Sequence, residues 1–170
     1  MSQLIDFYRG TGTDYLGRTL ETIWSFSDVE LESIHDFIQW MFPLREASQF
    51  NPDAPRLTDE DVAEFHADPQ LRRNLLRSFE VFLAFLGLHI EAEKVARAVD
   101  FDGKKRVFAA PNLNWLRITR VLISTRTLGL ERHSRAFFDF LKSYRDSGLS
   151  GITPDTFRYW ANAATAETST

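Results

Sequence analysis

Apolar residues recur three and four positions apart along most of the chain, and the residues between the runs are helix stops and starts. A first helix is expected over Leu16 to Trp24. Ser27, with Glu30 three positions on, forms a capping box, in which hydroxyl and carboxylate satisfy the orphan amides of a helix start. Leu31, Ile34, Ile38 and Met41 then make one stripe, and Pro43 ends it. Pro52 and Pro55 mark an extended loop, and Thr58 caps a short acidic helix through His66. Pro69 opens a long helix to Leu86, because its missing N–H costs nothing in the first turn. A helix over Glu91 to Val99 follows, then a polar loop around Asp102-Gly103 and Lys104-Lys105-Arg106. Asn112 caps a helix to Leu128, another runs from Leu130 to Arg145, and Thr153-Pro154 starts the last one, through Ala164. Residues 165–170 read as a flexible tail. Leu86-Gly87-Leu88 and Leu128-Gly129-Leu130 each place a glycine where a left-handed cap would sit, which suggests two αα-hairpins. The fold class expected is all-α: a single-domain bundle of about seven to eight helices over residues 1–164.

Composition narrows what such a bundle can do. The chain has 170 residues, 44% of them hydrophobic, with 15 Phe and 4 Trp as bulky core material. It has no Cys, which excludes a disulfide scaffold, a thiolate metal site and a Cys nucleophile. Met1 to Asp6 carry no basic start followed by an apolar stretch, so no signal peptide is expected. The longest apolar stretch, Val81 to Ile90, is about half the length of a bilayer span. A cytoplasmic protein is the expectation. Net charge is −4, unevenly spread: residues 1–68 hold 14 acids against 4 bases, and residues 69–170 hold 16 bases against 10 acids. The two halves should attract each other on folding, or part of the basic half faces an anionic partner. With a pI near 5.6 and no nucleic-acid-binding signature, nucleic acid is not expected as a partner.

The segment from Asn112 to Leu128 is the most informative. On a helical wheel its apolar residues cover most of the circumference, and one narrow seam stays polar: Arg117, Arg120, Ser124 and Thr127. No acid occurs in the segment. Buried guanidinium groups need an opposite charge, which comes either from a carboxylate of the acidic half (Glu32, Asp28 or Glu21) or from a bound anion. The segment from Asp28 to Phe42 is the second oddity. His35 lies beside the stripe, Gln39 one turn on, and Trp40 on the opposite side, in a second core contact or lining a pocket. Glu32 and His35 have the spacing of a helical di-metal pair, but no second copy exists, so no metal and no cofactor is expected. No Gly-rich phosphate loop, His-Glu-x-x-His or Gly-x-Ser-x-Gly motif occurs.

Two stretches carry a family resemblance. His35-Asp36-Phe37-Ile38-Gln39-Trp40-Met41-Phe42-Pro43-Leu44-Arg45 and Asn114-Trp115-Leu116-Arg117-Ile118-Thr119-Arg120-Val121-Leu122 resemble the two signatures of the opioid growth factor receptor conserved region. Leu83-Ala84-Phe85-Leu86-Gly87, Leu128-Gly129-Leu130-Glu131 and Tyr159-Trp160 fall in the matching order. The chain departs from the pattern at Leu113, where relatives commonly have His, and at Leu86, where an aromatic is usual. The chain looks like a stand-alone, prokaryote-like member. In animals the family is associated with binding an enkephalin pentapeptide and with restraining growth. The resemblance implies a non-enzymatic binding or regulatory module for a peptide or small anionic ligand, or for a protein partner. Its candidate residues are Arg117, Arg120, Asn114, His35, Gln39, Trp40 and Arg45. The alternative is a small enzyme on an anionic substrate, with His35 as base and the two arginines as clamp.

Overall fold

The computed structural model describes residues 2–165. They gather into two compact units that divide between Val81 and Phe82. The first holds α1 (Gln3–Arg9), α2 (Leu20–Trp24), α3 (Asp28–Ser33), α4 (Ile38–Met41), α5 (Asp59–Ala67) and most of α6 (Pro69–Phe85). Helix α1 carries no sequence period, being only 7 residues long, yet it buries Leu4, Ile5, Phe7 and Tyr8. Ser2 caps it, and the same Ser2 hydroxyl donates to Asp61 Oδ1 at 2.6 Å. The other oxygen of Asp61 accepts from the Thr58 amide, so the starts of α1 and α5 are tied through one buried carboxylate.

The core of this unit is aromatic. Phe7 packs edge-on against Trp40 at 5.2 Å and Tyr8 against Phe65 at 5.2 Å, in the offset geometry that ring quadrupoles favour. A polar thread runs through it. The Tyr8 hydroxyl meets the Met41 carbonyl and Ser78 Oγ. A phenol has one proton, so it donates to the carbonyl and accepts from Ser78. Ser78 Oγ in turn accepts the Trp24 indole N–H at 2.9 Å. Four helices are joined by groups that would be costly to bury unpaired.

One helix expected from the stripe Leu31, Ile34, Ile38 and Met41 is two. The chain leaves the helix at Ile34, whose backbone is extended, and resumes at Ile38. A contact from outside the two helices falls on the break. Arg18 holds the Asp36 carboxylate at 3.0 Å and its main-chain carbonyl at 3.4 Å, and a carbonyl engaged there is turned away from a helical partner. Arg18 is itself anchored by the buried Asp14 at 2.7 Å.

The second unit takes the end of α6, then β1 (Leu88–Glu91), β2 (Lys94–Arg97), α7 (Phe101–Lys104), a 3-10 turn (Lys105–Phe108), α8 (Leu113–Thr127), α9 (Glu131–Asp146) and α10 (Pro154–Thr165). The all-α expectation holds in the main, with a minor two-stranded sheet added and more helices than the seven or eight expected. The described residues form ten helices and one antiparallel hairpin, and the hairpin stands where the spacing predicts a helix over 91–99. Leu88 and Val95 are buried while His89, Glu91, Lys94 and Arg97 are exposed, which is a strand period of two. The polar loop expected around 102–106 is α7 and the 3-10 turn. Gly87 leads into a strand, so the first of the two expected αα-hairpins is absent. The second, α8 to α9 through Gly129 with φ 98°, is present. Gly87 has φ 79°, and a Cβ there would sit 2.9 Å from Phe101 Cα, so only glycine fits.

Helices α8, α9 and α10 pack on one another, and β2 packs on α9. Trp115 and Trp160 meet edge-on at 5.8 Å, and the Trp160 indole donates to the Trp115 carbonyl. Phe101, Phe108, Phe140 and Tyr144 form a second cluster, with the Arg97 guanidinium 5.0 Å from the Phe101 ring centre. No helix among the described residues is long and apolar enough to cross a membrane. Thr165 closes α10; the rest of the expected tail, residues 166–170, lies outside the described residues.

Candidate functional site

Helix α8 sets out the first group of candidates. Asn112 caps it, its side chain accepting from the Asn114 amide. Asn114 Oδ1 accepts from Arg117 at 3.3 Å, and Arg117 is only 7% exposed. Arg120, one turn on, is half-buried, and loss of solvation pushes its pKa down to about 10. Ser124 and Thr127 continue the row and are buried. Leu113 and Leu116 are exposed instead. The polar seam of α8 faces inward at the arginines, and neither of them lacks a partner. Apolar residues take part of the water-facing side.

The remaining candidates lie in the first unit. Trp40 is 2% exposed, clasped by Phe7 and by Tyr15 at 4.9 Å, so it is core rather than an open platform. Gln39 is buried. Its amide nitrogen donates to the His35 carbonyl at 3.3 Å, and its Oε1 is buried with no hydrogen bond. His35 is exposed in the break between α3 and α4, beyond the end of the helix that carries Glu32. The two therefore do not share a helical face as a metal pair would. Arg45 is exposed and forms an ion pair with Asp59. The structure thus brings Asn114 to Arg117 and Gln39 to His35.

The second unit also has an open groove of about 1190 Å³ that sequence reasoning missed. Ile90 and Val95 of the hairpin, Arg126 of α8, and Arg132, Ala136 and Phe140 of α9 line it. Arg126 Nε donates to the Ala163 carbonyl at 2.7 Å, and burial lowers the pKa of its guanidinium. Asn114, Arg117 and Arg120 are not among its walls. The amphipathic spacing of α9 is legible in the residues. The hairpin that makes the opposite wall is not, because those residues read as a helix.

Comparison with known proteins identifies relatives over most of this length. Residues 12–169 match the family described as "Opioid growth factor receptor (OGFr) conserved region". The opioid growth factor receptor of Rattus norvegicus is 38% identical over 113 residues, covering 65% of this chain and 19% of the receptor. That of Homo sapiens is 38% identical over 109 residues, 59% of this chain and 15% of the receptor. Opioid growth factor receptor-like protein 1 of Rattus norvegicus is 33% identical over 120 residues, 69% of this chain and 26% of the relative. The matched region is thus a minor part of each of these proteins. No solved structure matches the chain.

Proposed function

The chain belongs to the opioid growth factor receptor conserved-region family, and from that premise we propose that it is a non-enzymatic binding module whose ligand is a small anion or a peptide presenting an acidic group. Arg117 and Arg120 take the negative charge, and Asn114 orients the first of them. The observation that carries this reading is a pair of guanidinium groups drawn largely out of water on a helix with no acid of its own. Guanidinium forks match carboxylate and phosphate oxygens in geometry as well as charge. A cation whose burial has already weakened its protonated form gains more from an added anion than an exposed one does.

Gln39, Trp40, His35 and Arg45 belong to a different unit, and their geometry supports other roles. Trp40 is a core residue, and Arg45 is matched by Asp59. His35, the base that an enzymatic reading requires, is exposed in an interhelical turn rather than enclosed beside a reacting group. Gln39 keeps an unused acceptor, which suits a positioning role toward a donor.

The test is amide NMR of the whole chain titrated with inorganic phosphate and with short peptides ending in a free carboxylate. Saturable shifts are expected along α8 between Asn114 and Thr127. They should vanish in Arg120→Met while the spectrum stays folded, and survive in part in Arg120→Lys. If neither probe moves these resonances, or if Arg120→Met responds as the native chain does, the proposal is wrong.

A further inference from the structure

The groove of the second unit is built differently from the arginine row of α8. Its lining follows α9 from Glu131 to Ser143, about 18 Å of helix at 1.5 Å per residue. Its volume of about 1190 Å³ exceeds the usual range for small-molecule pockets, roughly 300–1,000 Å³. Both dimensions fit a peptide segment: about three turns of helix, or half a dozen extended residues. Ile90, Ala136 and Phe140 are only half-buried along it, so they offer an apolar strip to an incoming side chain.

The charges along the strip set the sign of that segment. Lys94, Arg126, Arg132 and Arg135 line the groove together with Glu93, Glu131 and Asp139. Asp139 is answered by Arg135 at 3.5 Å. Glu131 stands in the first turn of α9, where the helix dipole favours an acid. Among the described residues Lys94 and Arg132 form no ion pair. Lys94 comes from the hairpin wall beside Glu93, and Arg132 from the α9 wall beside Glu131; with Asp139 answered by Arg135, Arg126 leaves the lining one charge positive. The hairpin wall is also held under strain: Ala92 and Glu93, at φ 50° and 66°, both occupy the left-handed region that non-glycine residues avoid.

We propose that this groove is a second binding site, for an acidic segment of a partner protein that sets a bulky apolar side chain against Phe140 and Ala136 and carboxylates against Lys94 and Arg132. The site is independent of the arginine row. Arg132 and Lys94 are exposed, so their replacement leaves the core untouched.

The test selects from a phage-displayed library of random dodecapeptides on the whole chain and measures the winners by fluorescence anisotropy. The expected consensus is acidic with one large apolar residue. Lys94→Glu with Arg132→Glu should weaken it by about a hundredfold, a tenfold loss per charge contact of ~1.4 kcal/mol. Ala136→Arg, a steric block within the strip, should also abolish it, and Arg120→Met should not affect it. Circular dichroism reports whether each variant folds. Several results overturn the proposal: no enrichment, a neutral or basic consensus, or affinity that survives both the charge reversal and the block. Affinity that falls with Arg120→Met alone places the peptide on α8 and also overturns it. So does a dimer that Phe140→Ser dissociates, which makes the occupant a second copy. Tighter capture by a chain ending at Thr165 makes residues 166–170 the occupant and overturns it as well.

Discussion

The Tyr8 hydroxyl donates to the Met41 carbonyl while accepting from Ser78 Oγ at 3.0 Å, in a site closed to water. Tyr8→Phe keeps the ring and removes both bonds, leaving a carbonyl and a hydroxyl short of a partner. The expected loss is about 1–3 kcal/mol, read from the urea midpoint. The pH response is more specific. Burial raises the phenol's pKa well above 10.0, only partly offset by the hydrogen bond from Ser78. The folded state keeps a proton that the unfolded state releases once pH passes about 10. Stability from this group is therefore whole below that pH and falls as pH rises above it. Arg120 acts with the opposite sign near the same pH, since its folded pKa is depressed. The difference between native chain and Tyr8→Phe isolates the phenol: the gap between their stabilities should narrow above pH 10.

Asp14 is buried, and its carboxylate accepts from the amides of Leu16 and Arg18 as well as from Arg18 Nε. Arg18→Met strips the charge partner and frees Asp36. A loss of about 3 kcal/mol is expected, because a buried carboxylate is left without its cation. Hydrogen exchange should speed up selectively at residues 34–37. Unchanged exchange there would mean that Arg18 does not hold the helix break.

The hairpin tip offers a gain instead. Type I′ turns favour Asn-Gly because both central residues have positive φ, and here they are Ala92 and Glu93. Ala92→Asn with Glu93→Gly should raise stability by about 1 kcal/mol, since the left-handed strain exceeds the added freedom of the unfolded chain. A scanning calorimetry trace with a lower Tm would contradict it.

Gly151 is constrained by approach rather than by torsion. A Cβ there would overlap the Ala109 carbonyl oxygen, while its amide donates to the Phe108 carbonyl at 2.9 Å. Gly151→Ala forces the 108–110 backbone to move and should cost about 1–3 kcal/mol or more. Gly148→Asn serves as the control. Gly148 also has a positive φ, but open space surrounds it and Asn tolerates the conformation, so Tm should barely change.

Local chemistry was legible in the residues; non-local chemistry was not. The capping box at Ser27, the caps at Thr58 and Asn112 and the helix openings at Pro69 and Pro154 stand where their sequences put them. The break at 34–37 was hidden because the apolar stripe runs through it and its contact with Arg18 comes from outside the stripe. The hairpin was hidden because four-residue strands give too short a period and because Ala92-Glu93 lacks the usual turn residues. For the site, the seam Arg117, Arg120, Ser124 and Thr127 was visible on the wheel, and so was its need for shelter or a partner. That Trp40 would lie beneath Tyr15 could not be seen, since the 10–19 loop has no period to read. The groove needed the hairpin, and so remained out of reach.

Helix α8 turns Leu113 and Leu116 outward while it keeps Arg117 within and draws Arg120 partly out of water, so the ordinary rule for improving solubility runs backwards over its first two turns. An engineer trimming surface charge there would find little to trim, and one adding polarity should begin with Leu113 and Leu116, whose side chains already meet water. Grease removed from these two leucines should pass almost unnoticed.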